Sequence, residues 1–208
     1  TQITLRDSKD IIEHVPASAC ILATCPPLPF STDAFLRDVK GKRFIVWYPE
    51  DAAERKPHMW TVRTVLKKEN CYLTATDDPE NIGPMWQCKS LRQWSADCSA
   101  RNNVGWKMHA WISGTSPCVS STHTDAYHNV ICVLQGRKVI YLSDTDLPHN
   151  DMTDTTSSDE TPDMHPEKWT RVVLTPNNML YIAPETWHYV ESDPQTIMCS
   201  FLWNDDDE

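Results

Sequence analysis

Residues 121–142 read Ser121-Thr122-His123-Thr124-Asp125-Ala126-Tyr127-His128-Asn129-Val130-Ile131-Cys132-Val133-Leu134-Gln135-Gly136-Arg137-Lys138-Val139-Ile140-Tyr141-Leu142. A small-residue turn leads to His123 and Asp125, one residue apart. An apolar run follows, broken at Gln135-Gly136, and a second apolar run resumes at Lys138. Both runs are rich in β-branched residues and short, so they predict two buried strands, read together as a hairpin. Successive side chains of a strand alternate between its faces, so His123 and Asp125 present an imidazole and a carboxylate to one side.

Outward from this stretch the same grammar continues. Short strands are predicted over 106–112, 129–134, 138–142, 170–174, 179–182, 189–191 and 196–203. Close spacing with turn residues between them points to an antiparallel sandwich or barrel. The segment 143–167 is acidic and rich in Thr, Ser and Pro, and reads as a mobile loop or an insertion between strands. The first hundred residues are mixed. Helices are expected over 8–15 (capped by Ser8), over 34–39 (capped within Ser31-Thr32-Asp33) and over 91–100. Residues 43–48 (RFIVWY) read as a strand, 61–68 as helix or strand, and the Pro-rich 25–29 as an extended connector. The division is thus 1–105, flanking helices and strands, and 106–208, the β core carrying the acidic loop.

The chain of 208 residues suits one domain, and with 40% hydrophobic residues and nine Trp it can bury a core. No run approaches the 18 apolar residues of a membrane span. A net charge of −10 without a basic stripe argues against a sequence-nonspecific nucleic-acid binder. None of the eight cysteines forms a C-x-x-C pair, which argues against a zinc knuckle. Cys132 and Cys199 sit in apolar strand patterns and read as core thiols. With no secretory signal region in the sequence, a reducing, intracellular setting, cytoplasmic or nuclear, is expected.

A metal site needs a third ligand. The stretch Pro184-Glu185-Thr186-Trp187-His188-Tyr189-Val190 offers His188 at the start of a later strand, after a Pro-containing turn. Two His and one carboxylate on one face form the facial triad of non-haem Fe(II) oxygenases, which leaves three octahedral positions open. His109 and His128 are rival ligands, although His128 is odd-spaced from His123 and should face away from it. An H-x-D pair occurs by chance, and a strand His is more often structural than ligating. Lys138 is costly if it faces inward from an apolar strand, unless an anion meets it. Alternation lets only one of Arg137 and Lys138 do so.

These residues resemble a known family. His123-x-Asp125, Asn129 six after the first His, Gly136-Arg137-Lys138 ending fifteen after it, and the distal Pro184-x-x-Trp187-His188-x-Val190-x-Ser192 are similar to the JmjC and related cupin-type Fe(II)/2-oxoglutarate oxygenases, and most of all to their small hydroxylase subgroup. The resemblance covers 114–142 and 174–203, roughly the C-terminal half. It implies a mainly β fold with flanking helices around a double-stranded β-helix (jelly-roll/cupin) core. It implies that His123, Asp125 and His188 hold Fe(II), and that Lys138 pairs with the distal carboxylate of 2-oxoglutarate. Ser120 would bond the same carboxylate, Asn129 would line the cofactor pocket, and Ser200 would stand where many members carry Asn. One family contributor, an aromatic hydroxyl from an upstream strand, has no match: Trp106, His109 and Trp111 lie on about the right strand, and none is a Tyr.

The implied activity is hydroxylation of a protein or peptide side chain, with succinate and carbon dioxide as coproducts. Lysine demethylation and hydroxylation of a tRNA base are variants of the same chemistry. A cupin-fold scaffold without turnover, and a metal-dependent cupin enzyme that uses no 2-oxoglutarate, are the readings from other classes.

Overall fold

The computed structural model describes residues 2–4, 20–24, 32–41, 43–46, 58–76, 93, 96–97, 107–151 and 155–204. The expectations for 8–15, 25–29 and most of 91–100 lie outside these residues.

Two sheets carry the fold. The larger has seven strands in the order β1-β2-β13-β8-β15-β6-β5. These are β1 (Gln2–Thr4), β2 (Ile21–Thr24), β13 (Asn178–Ile182), β8 (His128–Gln135), β15 (Ile197–Trp203), β6 (Lys107–Ser113) and β5 (Tyr72–Thr76). The smaller has six, ordered β10-β11-β7-β14-β9-β12: β10 (Asn150–Asp151), β11 (Thr155–Ser157), β7 (Cys118–Asp125), β14 (Trp187–Ser192), β9 (Lys138–Ser143) and β12 (Thr170–Leu174). Apart from the parallel β1–β2 pair, all pairings within these sheets are antiparallel. A separate antiparallel pair joins β3 (Phe44–Val46) to β4 (His58–Trp60).

The space between the sheets is filled from both. Ile131, Val133, Leu180, Ile182 and Met198 of the larger sheet meet Ile140, Leu142 and Val190 of the smaller. The back of the larger sheet is covered as well. Its Val130, Cys132, Leu134, Cys199 and Phe201 pack against Phe35 and Val39 of helix α1 (Thr32–Asp38) and Val62 and Val65 of the one-turn helix α2 (Val62–Val65). That double cover explains why β8 is buried along almost its whole length and reads as a continuous apolar run. Thr32 anchors α1 by donating its hydroxyl hydrogen to the Leu134 carbonyl (2.8 Å). Thr61 caps α2, its hydroxyl accepting the Thr64 N–H (3.2 Å). This resolves 61–68 as a short helix. The core thiols are where expected, with the Cys199 thiol pointing at the Cys132 carbonyl (3.7 Å).

Two expectations need correction. β8 and β9 are not a hairpin. They lie in different sheets, so the Gly136-Arg137 turn is a corner that carries the chain across the sandwich. Gly136 makes the corner at φ +80°, and a Cβ there would run into the Thr196 hydroxyl. Nor is 143–167 simply a loop. It contributes β10 and β11 to the smaller sheet, where Ser157 pairs with His123 and Thr155 with Asp125. Ser158 N–H also donates to the Thr122 carbonyl (3.1 Å). From the N-terminal half, β2 and β5 are integral strands of the larger sheet.

Candidate metal centre

β7 and β14 are neighbours, and their register places His188 directly opposite His123. Asp125 follows on the same face of β7. The three ligand-type atoms lie within 4.8 Å of one another, the one such grouping among the described residues. The rings of His123 and His188 are 4.1 Å apart, and His188 Nε2 is 3.7 Å from Asp125 Oδ2.

Backbone carbonyls orient both imidazoles. His123 Nδ1 lies 2.6 Å from the Ser121 carbonyl, and His188 Nδ1 lies 2.8 Å from the Thr186 carbonyl. With Nδ1–H donated, each ring is the tautomer whose Nε2 lone pair is left for a ligand. The turn before β14 is itself tied to this end of β7, since the Glu185 N–H donates to the Asp125 carbonyl (2.8 Å).

The electrostatics agree with a cation site. Burial, with help from His123, pushes the His188 imidazolium down to a pKa of about 3, so the ring is neutral. Burial raises the Asp125 carboxyl, against the opposing influence of His123 and His109. A cation bound among these atoms would offset the cost of ionising Asp125 and use the neutral rings as they stand.

A bulge sets the rest of the pocket. Between His123 and Ser120 the chain takes three steps on β7, while the facing strand takes two, from His188 to Val190. The extra residue restores Ser120 to the inward face, opposite Val190, despite its odd spacing from His123. Further in, Cys118 of β7 and Lys138 of β9 both stand opposite Ser192 of β14. His188 is opposite Leu142, so the backbone of Lys138 lies four residues, about 13 Å, deeper along the strand.

Lys138 is 1% exposed, whereas Arg137 turns outward to pair with Asp193 (2.8 Å). The alternation is thus settled in favour of Lys138. Its Nζ donates to the Tyr72 hydroxyl (2.9 Å) and lies 5.5 Å from the centre of that ring. Among the described residues it has no carboxylate partner. Tyr72, from β5, thus places an aromatic hydroxyl from an upstream strand beside Lys138, where the sequence offered no candidate. Its one sequence signal is the alternating Cys71-Tyr72-Leu73-Thr74 run, with Cys71 and Leu73 buried and Tyr72 turned the other way.

From the larger sheet, Asn129 turns inward on the same face as Ile131 and Val133. It is 7% exposed, and its Oδ1 has no hydrogen-bond partner among the described residues. Ser200, also inward, accepts the Trp111 indole N–H (3.1 Å). The rival ligands are excluded from the triad. His128 faces the opposite side of its sheet, with Nδ1 bonded to the Tyr181 hydroxyl (2.8 Å). His109 lies near Trp111, their rings 6.3 Å apart, outside the ligand grouping.

Among the described residues a buried ammonium with no carboxylate, a buried amide oxygen with no donor, and a His-Asp-His donor set fit a divalent ion together with a dianionic co-ligand.

Comparison with known proteins agrees. The family model described as a Cupin-like domain matches residues 50–208. The chain is 33% identical over 108 residues to the Jumonji C domain-containing protein 5 of Drosophila melanogaster, covering 45% of this chain and 27% of that protein. It is 30% identical over 115 residues to the Lysine-specific demethylase JMJ30 of Arabidopsis thaliana, covering 49% and 27%. The match therefore spans about a quarter of each relative. In three dimensions it is similar to the E. coli ycfD structure, with a TM-score of 0.57 and 15% identity over 98% of this chain and 54% of that one, a likeness of fold. No helix among the described residues is long and apolar enough to cross a membrane. The chain belongs to the cupin-like, JmjC-type family.

Proposed function

We propose that the protein is an Fe(II)- and 2-oxoglutarate-dependent oxygenase that hydroxylates a side chain of a protein or peptide. The observation that carries this reading is Lys138. A buried ammonium held by Tyr72, deep behind a His-Asp-His cluster, is the complement of a dicarboxylate that reaches inward from a metal.

In this reading His123, Asp125 and His188 hold the ion through Nε2, a carboxylate oxygen and Nε2. Lys138, Tyr72 and Ser120 hold the distal carboxylate of 2-oxoglutarate, and Asn129 offers its amide to the same pocket. Ser200 and Trp111 hold each other and shape the wall. Bound there, the ion and the oxoacid supply the oxidising chemistry: with dioxygen, the oxoacid leaves as succinate and carbon dioxide while a substrate C–H bond becomes C–OH. The chain supplies orientation and dryness. Ser121 and Thr186 carbonyls fix the two rings, and the Ile140–Val190 layer keeps water from the space between the triad and Lys138.

The scaffold reading expects a degraded donor set; here all three ligands and Lys138 converge. A cupin enzyme that uses no oxoacid has no use for Lys138. Demethylation is hydroxylation at an N-methyl carbon, so it needs the same machinery. The test is succinate release from 2-oxoglutarate by the iron-loaded protein in air, with Asp125→Ala as the control. Succinate formed by wild type alone supports the reading. Equal release by both, or none with iron and oxoacid shown to be bound, overturns it.

A further inference from the structure

The three triad side chains are not held alike. Carbonyls fix the rings of His123 and His188. Among the described residues no N–H or O–H donates to the Asp125 carboxylate, whose ion-pair contact is His188 Nε2 at 3.7 Å. A facial triad asks more of it. The carboxylate must bind through one oxygen, because a second bound oxygen would close one of the three open positions. Ligating carboxylates are themselves hydrogen-bonded, and that bond sets how they bind.

An unused donor stands across the barrel. Met108, Ala110 and Ile112 of β6 belong to the core behind the larger sheet, so His109 and Trp111 face the smaller sheet. His109 is half-buried there, and among the described residues its ring makes no hydrogen bond; it lies against Trp111, ring to ring at 6.3 Å. Its height follows from the pairing. The Ser113 hydroxyl donates to the carbonyl of Asp193 (2.7 Å), the residue after Ser192, so Ser113 and Ser192 mark one deep level of the two sheets. His109 is four residues above Ser113 on β6, and His188 is four above Ser192 on β14, about 13 Å in each case. Facing sheets lie about 10 Å apart, a gap that side chains reaching from both sides can close. His109 and Asp125 also act on each other's charge. Nearby donors are committed elsewhere: Trp111 Nε1 to Ser200, and the Glu185 N–H to the Asp125 carbonyl. Lys107 Nζ lies over the Tyr127 ring at 5.1 Å.

We propose that His109 is a positioning residue of the metal centre: with a divalent ion bound, a ring N–H of His109 donates to the Asp125 oxygen that the ion does not take, and so holds the carboxylate to one-point ligation. His109 does not touch the ion. Imidazole and imidazolium both carry an N–H, so the bond does not depend on the ring's protonation. This rests on the oxygenase reading only for the identity of the ion as Fe(II); the hydrogen bond needs neither oxoacid nor substrate.

The test loads the full chain with Co(II), for affinity by calorimetry, and with Cu(II), for counting coordinated imidazoles by pulsed electron paramagnetic resonance. His109→Phe keeps a ring against Trp111 and removes the donor; His109→Gln supplies a donor again. The expected result is a Co(II) affinity at least about ten-fold weaker in His109→Phe and largely recovered in His109→Gln, with two coordinated imidazoles in wild type and in both variants. Unchanged affinity in His109→Phe overturns the proposal, as does a loss that His109→Gln does not recover. Three coordinated imidazoles in wild type overturn it too, since His109 would then be a ligand. Wild type alone gives a further check should His109→Phe fail to fold. With ¹⁵N-labelled histidine and Zn(II) bound, a His109 ring N–H should appear in slow exchange with water, and its absence overturns the proposal. Any of these failures beside tight Co(II) binding by wild type leaves the oxygenase reading standing. The expected His109 pattern together with failure of 2-oxoglutarate to bind the iron-loaded chain removes the oxygenase reading and leaves the positioning role.

Discussion

At the scale of single residues, Lys138 joins sequence to chemistry. Its position in an apolar strand makes it either an outward residue or an unusual inward one, and the residues alone left that choice even. The fold decides it, because the corner at Gly136-Arg137 sends Arg137 to Asp193 and Lys138 into the barrel. An ammonium buried without a carboxylate among the described residues carries a desolvation cost that the Tyr72 hydroxyl offsets only in part. Lys138→Met should therefore stabilise the cofactor-free protein, by about 1–3 kcal/mol in denaturant unfolding. The same change should weaken 2-oxoglutarate at least about ten-fold while leaving iron affinity near wild type, since it removes a charge-assisted contact to the oxoacid alone. A destabilised Lys138→Met with unchanged cofactor affinity would refute both halves. Tyr72→Phe should weaken the oxoacid in the same direction but less, because the ammonium remains.

His188 gives a residue-scale pH prediction. Its pKa is depressed to about 3 in the fold, against about 6.5 for the unfolded chain. Below pH 6.5 the unfolded state binds a proton that the folded state refuses, so the metal-free protein loses stability as pH falls from about 6.5 towards 3. Asp125, whose pKa is raised, works in the opposite sense: its contribution is present at low pH and lost as pH rises past its unfolded value near 3.8. His188→Gln should flatten the acid limb between pH 6.5 and about 3, as read by urea midpoints across pH. A limb as steep as wild type would show that other groups set it.

At the scale of elements, the triad was legible because β periodicity is simple: His123-x-Asp125 shares a face, and His188 begins a strand. The partnership of β7 with β14 was not legible, since pairing in a jelly roll joins strands far apart in sequence. The bulge in β7 was hidden for the same reason. Ser120 is three residues from His123, which regular alternation would send outward, and only the register with β14 reveals the extra residue that turns it in. Tyr72 was missed because β5 has no distinctive pattern. Its role comes from Tyr72 pairing with Ser113 at the sheet edge, which brings its hydroxyl to Lys138. The hairpin expectation for 129–142 failed on a point of physics: a tight turn between two apolar strands fits a sheet-to-sheet corner as well as a hairpin, and neighbouring strands choose between them. Gly136 holds that corner. Gly136→Ala would place a Cβ at φ +80° and against the Thr196 hydroxyl, and should destabilise the fold by about 1–3 kcal/mol. A midpoint unchanged in urea would show that the corner relaxes freely.

At the scale of the whole molecule, the acidic balance is concentrated in the segment that carries β10 and β11. That segment is built onto the edge of the ligand strand rather than hanging free. The class of fold followed from strand spacing and the family motif, because both are set by local pattern. Of the N-terminal strands, β3 falls within the strand read at 43–48, whereas β2 and β5 did not follow, because they acquire their meaning from the sheet they complete. The two cores differ in role: the one behind the larger sheet holds the helices, and the one between the sheets sets the depth of the pocket. In the proposed reading His123, Asp125 and His188 hold the ion only in the folded chain, so added Fe(II), or Co(II) as a redox-stable substitute, should raise the melting temperature of wild type and leave Asp125→Ala unchanged.

The most direct test of the account is an anaerobic titration of the Fe(II)-loaded protein with 2-oxoglutarate, following the weak visible charge-transfer band of an iron-chelated oxoacid. The account predicts a saturable band in wild type, a band shifted to higher 2-oxoglutarate concentration in Lys138→Met, and none in His188→Ala. Iron bound tightly by wild type with no band at saturating oxoacid would contradict it.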